Sequence, residues 1–408
     1  MMNRTGVLSG VKVLDLTWHI AGPFCTKILA DYGADVIKVE RPDGGDPARS
    51  LGPFHKDEPH LEKSGLFLFL NTNKQGITLN LKTKLGNEII CELAKDADIV
   101  VESFRPGVMS RLGLQYETLE KSNPRLVMTS ISNFGQSGPY RDFKASELIL
   151  FGMGNTMYSN GLPDREPLKR GAGTPALFFA GNLAALATML AFYGSEIHGR
   201  GQFVDFSIFE AQIGGSLERR ASLLSYQYNG DITNRSDPRK RAIYPSGIYR
   251  CSDGYWDCSA IGGIWPTVGK MMEMPEIIDD PRWSNAGAQA QPGHREEFMA
   301  FFIPWCLERT KQECVVKGQK AGALCMPIND MKEVTCDPHL NERGYWIEID
   351  HPIAGRLKYP GAQIKADEMS CAGRKSAPLL SQDNEAVYCE RLGYTKRDLV
   401  RLRELQVI

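Results

Sequence analysis

The chain has almost no net charge. Its 408 residues hold 48 lysines and arginines against 49 aspartates and glutamates, a formal balance of -1. That excludes a strongly basic face for nucleic acid as the main activity, and disorder driven by like-charge repulsion. No run approaches the roughly 20 apolar residues of a membrane span. The best candidate, 175–193, is rich in alanine, contains Asn182 and Thr188, and reads as a buried helix. Residues 1–11 lack an apolar core, so no signal peptide is expected. The ten cysteines form no C-x-x-C pair, and a disulfide framework is unusual in so long a chain. Reduced thiols in a cytoplasmic protein are expected, with no metal and no membrane partner. Among the seven histidines there is no H-E-x-x-H, and His55 and His60 read as solvated loop residues. P-loop and G-x-S-x-G signatures are missing too.

What is present is alternation. Residues 11–16 alternate apolar and polar and suit a strand. Pro23 suits a first helical position, Phe24, Ile28 and Leu29 recur at helical spacing, and Gly33 suits the residue just past a helix. Residues 35–40 make a second strand, completing a β-α-β unit of about 30 residues. Further strands are expected at 77–81, 99–102, 126–131 and 202–207, with helices near 85–94 and 175–193. Such alternation predicts an α/β parallel sheet with helices on its faces. The turn after the first strand, Thr17–Pro23, has no G-x-G-x-x-G, so a dinucleotide site is a poor reading despite Glu40 at the end of the second. After about residue 225 the character changes. A linker is expected at 226–242, a smaller α+β domain at 243–327, and a return to the first domain near Ile328. The large domain is then 1–225 plus 328–408. Leu399, Leu402 and Leu405 mark a short amphipathic helix in the tail.

Eight segments occur in an order that composition does not explain: Leu8–Leu16, Ala21–Pro23, Leu29–Glu40, Asn71–Lys74, Val101–Gly113, Phe134–Tyr140, Gly199–Asp205 and Ala377–Leu380. In these the chain resembles the class III CoA-transferases over nearly its whole length. The resemblance implies a large domain on a doubly wound parallel sheet built from both ends of the chain, a smaller inserted domain, and two subunits interlinked like rings. It implies coenzyme A or an acyl-CoA as substrate, bound by Ile20, Ala21, Arg41, Asn73, Lys74, Ser103, Phe104, Arg105, Arg111 and Leu112. Without it, Arg105 and Arg111 would read as solvated surface charges.

The family's chemistry rests on an aspartate that attacks the donor thioester, passing through a mixed anhydride and an aspartyl-CoA thioester. That residue stands four positions before a glycine and twenty-two before the G-R-G-Q motif. Gly181 and Gly199 both place it at 177, which is Leu177. No acid, thiol or hydroxyl occurs in Pro175–Ala180. Two lesser departures accompany it: Asp237–Arg241 lacks the glycines of the family's mobile loop, and Ser381 replaces a usual glycine. The resulting expectation is a non-catalytic subunit paired with a paralogous catalytic one. The complex would move CoA from a donor such as succinyl-CoA to a carboxylic acid, with benzylsuccinate of anaerobic toluene breakdown as the best-fitting acceptor. Two alternatives stay open: an active homodimer with a relocated nucleophile (Asp164, Glu166 or Asp142), and a CoA-binding regulatory or scaffold protein.

Overall fold

A computed structural model describes residues 6–154, 157–168, 171, 173–214, 217–232, 234, 235, 237, 243–259, 265–365 and 375–408. The chain divides into two units, one of Met1–Asn160, Leu168–Thr233 and Gly344–Ile408, the other of Gly161–Pro167 and Asn234–Arg343.

The first unit opens with β1 (Lys12–Leu16), α1 (Ala21–Asp31) and β2 (Asp35–Glu40). It continues through α2 (Gly65–Leu70), β3 (Gln75–Thr78), α3 (Lys84–Lys95), β4 (Ile99–Glu102), the short helices α4 (Val108–Arg111) and α5 (Tyr116–Leu119), and β5 (Val127–Ser132). Next come α6 (Glu147–Met153), α7 (Pro175–His198), β6 (Phe203–Ser207), α8 (Ile208–Gly214) and α9 (Leu217–Asn229). The six strands form one parallel sheet in the order β3-β2-β1-β4-β5-β6. Alternate side chains of β1 explain its two layers. Leu14 and Leu16 pack with Ile89 and Leu93 of α3, while Val13 packs with Leu29 of α1 and Ala180 and Ala184 of α7. A sheet covered on both faces buries both side-chain sets, and every residue of β4 and β5 is buried, the polar Glu102, Thr129, Ser130 and Ser132 included.

Gly33 takes φ 105 as the residue beyond α1. Pro23 is displaced from expectation: α1 starts at Ala21, so proline falls at the third position, still among the amides that lack a helical partner. The third strand ends at Thr78, short of the expected Leu81. Helix α7 also differs. It runs to His198, and Leu186, Leu190, Tyr193 and Ile197 are more than half exposed along one face. It is long and apolar enough to cross a membrane by length and composition, yet its small residues pack on α1. A Cβ at Gly181 would stand 2.7 Å from the Ala21 carbonyl oxygen and 3.1 Å from the Phe24 Cβ, so that approach requires glycine.

The second unit carries β7 (Ser246–Cys251), β8 (Gly254–Ser259), α10 (Trp265–Met272), α11 (Ala286–Gln289), α12 (His294–Leu307), α13 (Lys311–Ala321), β9 (Leu324–Ile328), α14 (Met331–Cys336) and α15 (Pro338–Glu342). Its antiparallel sheet, β7-β8-β9, covers a core of Trp256, Trp265, Trp283, Phe298 and Phe302. Nine cysteines are free among the described residues. Pro238–Arg241, most of the expected stiff linker, lies outside them.

The first unit closes with a hairpin, β10 (Trp346–His351) and β11 (Gly355–Pro360), and the tail helix α16 (Lys396–Glu404). Asp383 and Asn384 accept the Gly76 and Thr78 amides of edge strand β3 at 2.7 and 2.9 Å, so the tail blunts that edge. Just before, Ser381 sits at φ 64, a left-handed conformation that explains why glycine suits this position. Ser381→Gly is expected to stabilise the protein by about 0.5–1 kcal/mol. Urea unfolding should show a later midpoint with an unchanged slope.

Candidate functional site

In a sheet of this order the chain winds in opposite directions on either side of β1 and β4, and the crevice beyond their carboxyl ends is where ligands bind. A cleft of about 1640 Å³ lies there, lined by Trp18–Gly22 after β1, Arg41–Asp43 after β2, Ser103–Arg105 after β4 and Ser132–Asn133 at the end of β5. This exceeds the roughly 300–1,000 Å³ of an ordinary small-molecule pocket and suits an extended ligand.

Buried charge shapes its floor. Asp15, fully buried, accepts the Thr17 amide at 2.9 Å and the hydroxyls of Thr17 and Thr26 at 2.6 Å. Burial pushes its carboxyl up, but Lys74, Lys38 and these hydroxyls outweigh that and hold it down at about 2. Lys38 donates to the Thr17 carbonyl at 2.9 Å and pairs with Asp46 at 2.9 Å. Asp46 in turn accepts the amide of His19, which stands at φ 67. The loops after β1 and β2 are thus tied together from beneath.

Three expected ligand-binding residues converge on Trp18. Its amide donates to the Ser103 hydroxyl at 3.0 Å, its ring meets Phe104 edge-on at 5.4 Å, and the Arg41 guanidinium lies over it at 4.9 Å. Ile20, Ala21, Arg105, Arg111 and Leu112 also line the cleft. Asn73 and Lys74 do not. Asn73 donates to Asp31 at 2.7 Å. The Lys74 ammonium is buried, donating to Asp15, the Pro23 carbonyl, Thr26 and Asn71 at 2.8–3.0 Å. A cation so enclosed cannot also contact a ligand in the cleft, and its role is structural.

Leu177 is on the wall, at the head of α7, packed with Ile20, Phe24 and Phe178. The adjacent Ala176 amide donates to Glu147 Oε1 at 3.2 Å, and Glu147 lines the same cleft. Sequence reasoning passed over Glu147; a glutamate after Ser146 at a helix start was the available signal. Of the alternative carboxylates, Asp142 lines the cleft, whereas Asp164 and Glu166 belong to the second unit. Among the described residues no group of three or more His, Cys, Asp or Glu side chains is placed to hold a metal.

A family model, CoA-transferase family III, matches residues 8–384. The chain belongs to this family. Family III members act on CoA thioesters, which suits a large cleft whose lining includes Arg41, Arg105, Arg111, Arg141 and Lys144. The chain is 34% identical over 404 residues to succinyl-CoA–D-citramalate CoA-transferase of Chloroflexus aurantiacus, covering 98% of each. It is 28% identical over 410 residues to subunit BbsE of succinyl-CoA:(R)-benzylsuccinate CoA-transferase of Thauera aromatica, again 98% of each. A CAIB/BAIF family protein of Brucella suis superposes with a TM-score of 0.83 at 28% identity, over 95% of this chain and 100% of that one.

Below the cleft, Glu102 of this CoA-transferase family III chain accepts the Phe104 amide at 2.7 Å and the Ser130 hydroxyl. Burial raises its carboxyl to about 7, helped by the charge of Asp205 and opposed by the two hydrogen bonds. A carboxyl raised on folding favours the folded state while protonated. Stability therefore falls as pH rises from about 4.3 to about 7, by up to about 4 kcal/mol. Glu102→Gln is expected to remove most of that fall, read as urea midpoints at pH 5, 6, 7 and 8. An equal fall in the variant would assign it elsewhere.

Proposed function

We propose that this chain is the non-catalytic, CoA-binding subunit of a two-component class III CoA-transferase whose other subunit carries the nucleophilic aspartate. The observation that carries the reading is Leu177. It lines the cleft where the family resemblance puts the aspartate, and a leucine side chain packed among apolar groups cannot itself form an anhydride. The likeness to a protein named as a subunit supports a paired partner. On the same likeness the donor is succinyl-CoA and the acceptor a dicarboxylic acid of the benzylsuccinate type. CoA binding is supported by the site residues gathered in the cleft: Ile20, Ala21, Arg41, Ser103, Phe104, Arg105, Arg111 and Leu112.

Co-expression with an aspartate-bearing paralogue tests it. A complex containing both chains should sediment as one species and transfer CoA. Full activity from this chain purified alone would overturn it. Glu147 gives a second reading, an active chain with a displaced nucleophile, because its carboxylate is on the cleft wall beside Ala176. An acyl or CoA adduct mapped to Glu147 would establish that alternative.

A further inference from the structure

Two guanidinium groups face each other across Gly107, in the turn that leads from β4 into α4. A Cβ built on Gly107 would lie 3.4 Å from Arg141 Nη2 and 3.5 Å from Arg111 Nη1. Those two nitrogens therefore stand no more than roughly 7 Å apart, close enough for like charges to repel. Gly107 takes φ 80, where a side chain is strained as well as crowding.

Neither arginine is in an ion pair or a side-chain hydrogen bond with any described residue, and Arg141 Nε is buried without a partner. This contrasts with Arg49, which is buried and doubly paired to Glu40 and Glu62. Like charges held this close repel, and a buried donor left unsatisfied is costly, so the arrangement is at its least favourable with nothing between the two groups. Both side chains line the cleft. Planar guanidinium forks match phosphate oxygens, and two of them on one phosphate oppose its double charge.

We propose that Arg111 and Arg141 form a two-guanidinium clamp that closes on a phosphate group of the CoA thioester. The proposal rests on the reading of the cleft as the CoA site. It adds Arg141, which comes from the segment after Tyr140 and not from the strand ends. CoA offers two sources of such a group, the 3′-phosphate and the diphosphate.

Calorimetric titration of the full chain with CoA and with dephospho-CoA tests the clamp and separates the sources. Arg141→Ala is expected to weaken CoA binding by about 10- to 100-fold, the range for hydrogen bonds to a charged group. Arg141→Lys should recover part of the loss, and the ligand-free unfolding midpoint of Arg141→Ala should be no lower than that of wild type, since the variant relieves a buried unsatisfied donor. If the clamp holds the 3′-phosphate, wild type should bind dephospho-CoA less tightly than CoA, and Arg141→Ala should bind the two alike. If it holds the diphosphate, the variant should lose the same factor for both. Undiminished CoA binding by Arg141→Ala would overturn the clamp while leaving the CoA-binding subunit intact. No binding by the wild-type chain would overturn both.

Discussion

Incubated alone with succinyl-CoA and an acceptor acid, the chain is expected to transfer no CoA and to acquire no covalent label. Hydroxylamine or borohydride applied to the loaded two-chain complex should mark only the partner. The reason is chemical: the leucine side chain at 177 can form neither an anhydride nor a thioester, and removing a nucleophile that initiates a covalent sequence costs on the order of 10³–10⁶ in rate. Leu177→Asp is expected to recover little. The new carboxylate would stand among Ile20, Phe24 and Phe178. There burial would raise its pKa and leave less of it ionised. The measurement is a single-turnover assay with mass mapping of the labelled peptide. A labelled acid on the wild-type chain would overturn the prediction.

The second large effect concerns Lys74. Lys74→Met is expected to lower stability by about 3–5 kcal/mol, because it strips a buried carboxylate, Asp15, of the ammonium 3.0 Å away. The Pro23 carbonyl and Asn71 would lose their donor at the same time. Asp15→Asn combined with Lys74→Met should cost clearly less than the two separate losses added, since neither charge then remains alone. Urea midpoints of the three variants decide it; strict additivity would mean that the pair does not act as a unit. In wild type, Asp15 is held low, so its contribution is present at neutral pH and lost as pH falls from about 4 toward about 2.

Lys74 also shows where sequence reading stops. The family resemblance lists Lys74 among the CoA-binding residues, and nothing in the letters tells that its side chain turns inward to Asp15, 59 positions earlier. The β-α-β opening was legible because alternation and glycine placement are local. Arg41, Ser103 and Arg105 came from the family resemblance alone; what brings them together is that all follow strand ends, which a parallel sheet puts on one side. Trp18 lay inside the turn inspected for glycines, yet its role as the ring on which Arg41 and Phe104 meet depends on loops brought together by Lys38 and Asp46. Arg141 and Glu147 come from a connection with no periodic pattern, and Arg403 and Ile408 enter the cleft only because the tail returns to β3. Their positions follow from tertiary closure, which no window of sequence contains.

The contact at Gly181 has one more consequence. It fixes α7 on α1 through a backbone carbonyl, one turn beyond position 177, so part of what places residue 177 does not depend on the side chain there. After a gene duplication, one copy can exchange that residue and keep the same contact between α1 and α7. Division of labour between two copies then needs a single codon to drift, and the silent copy remains a full-sized, foldable companion for the one that still does the chemistry.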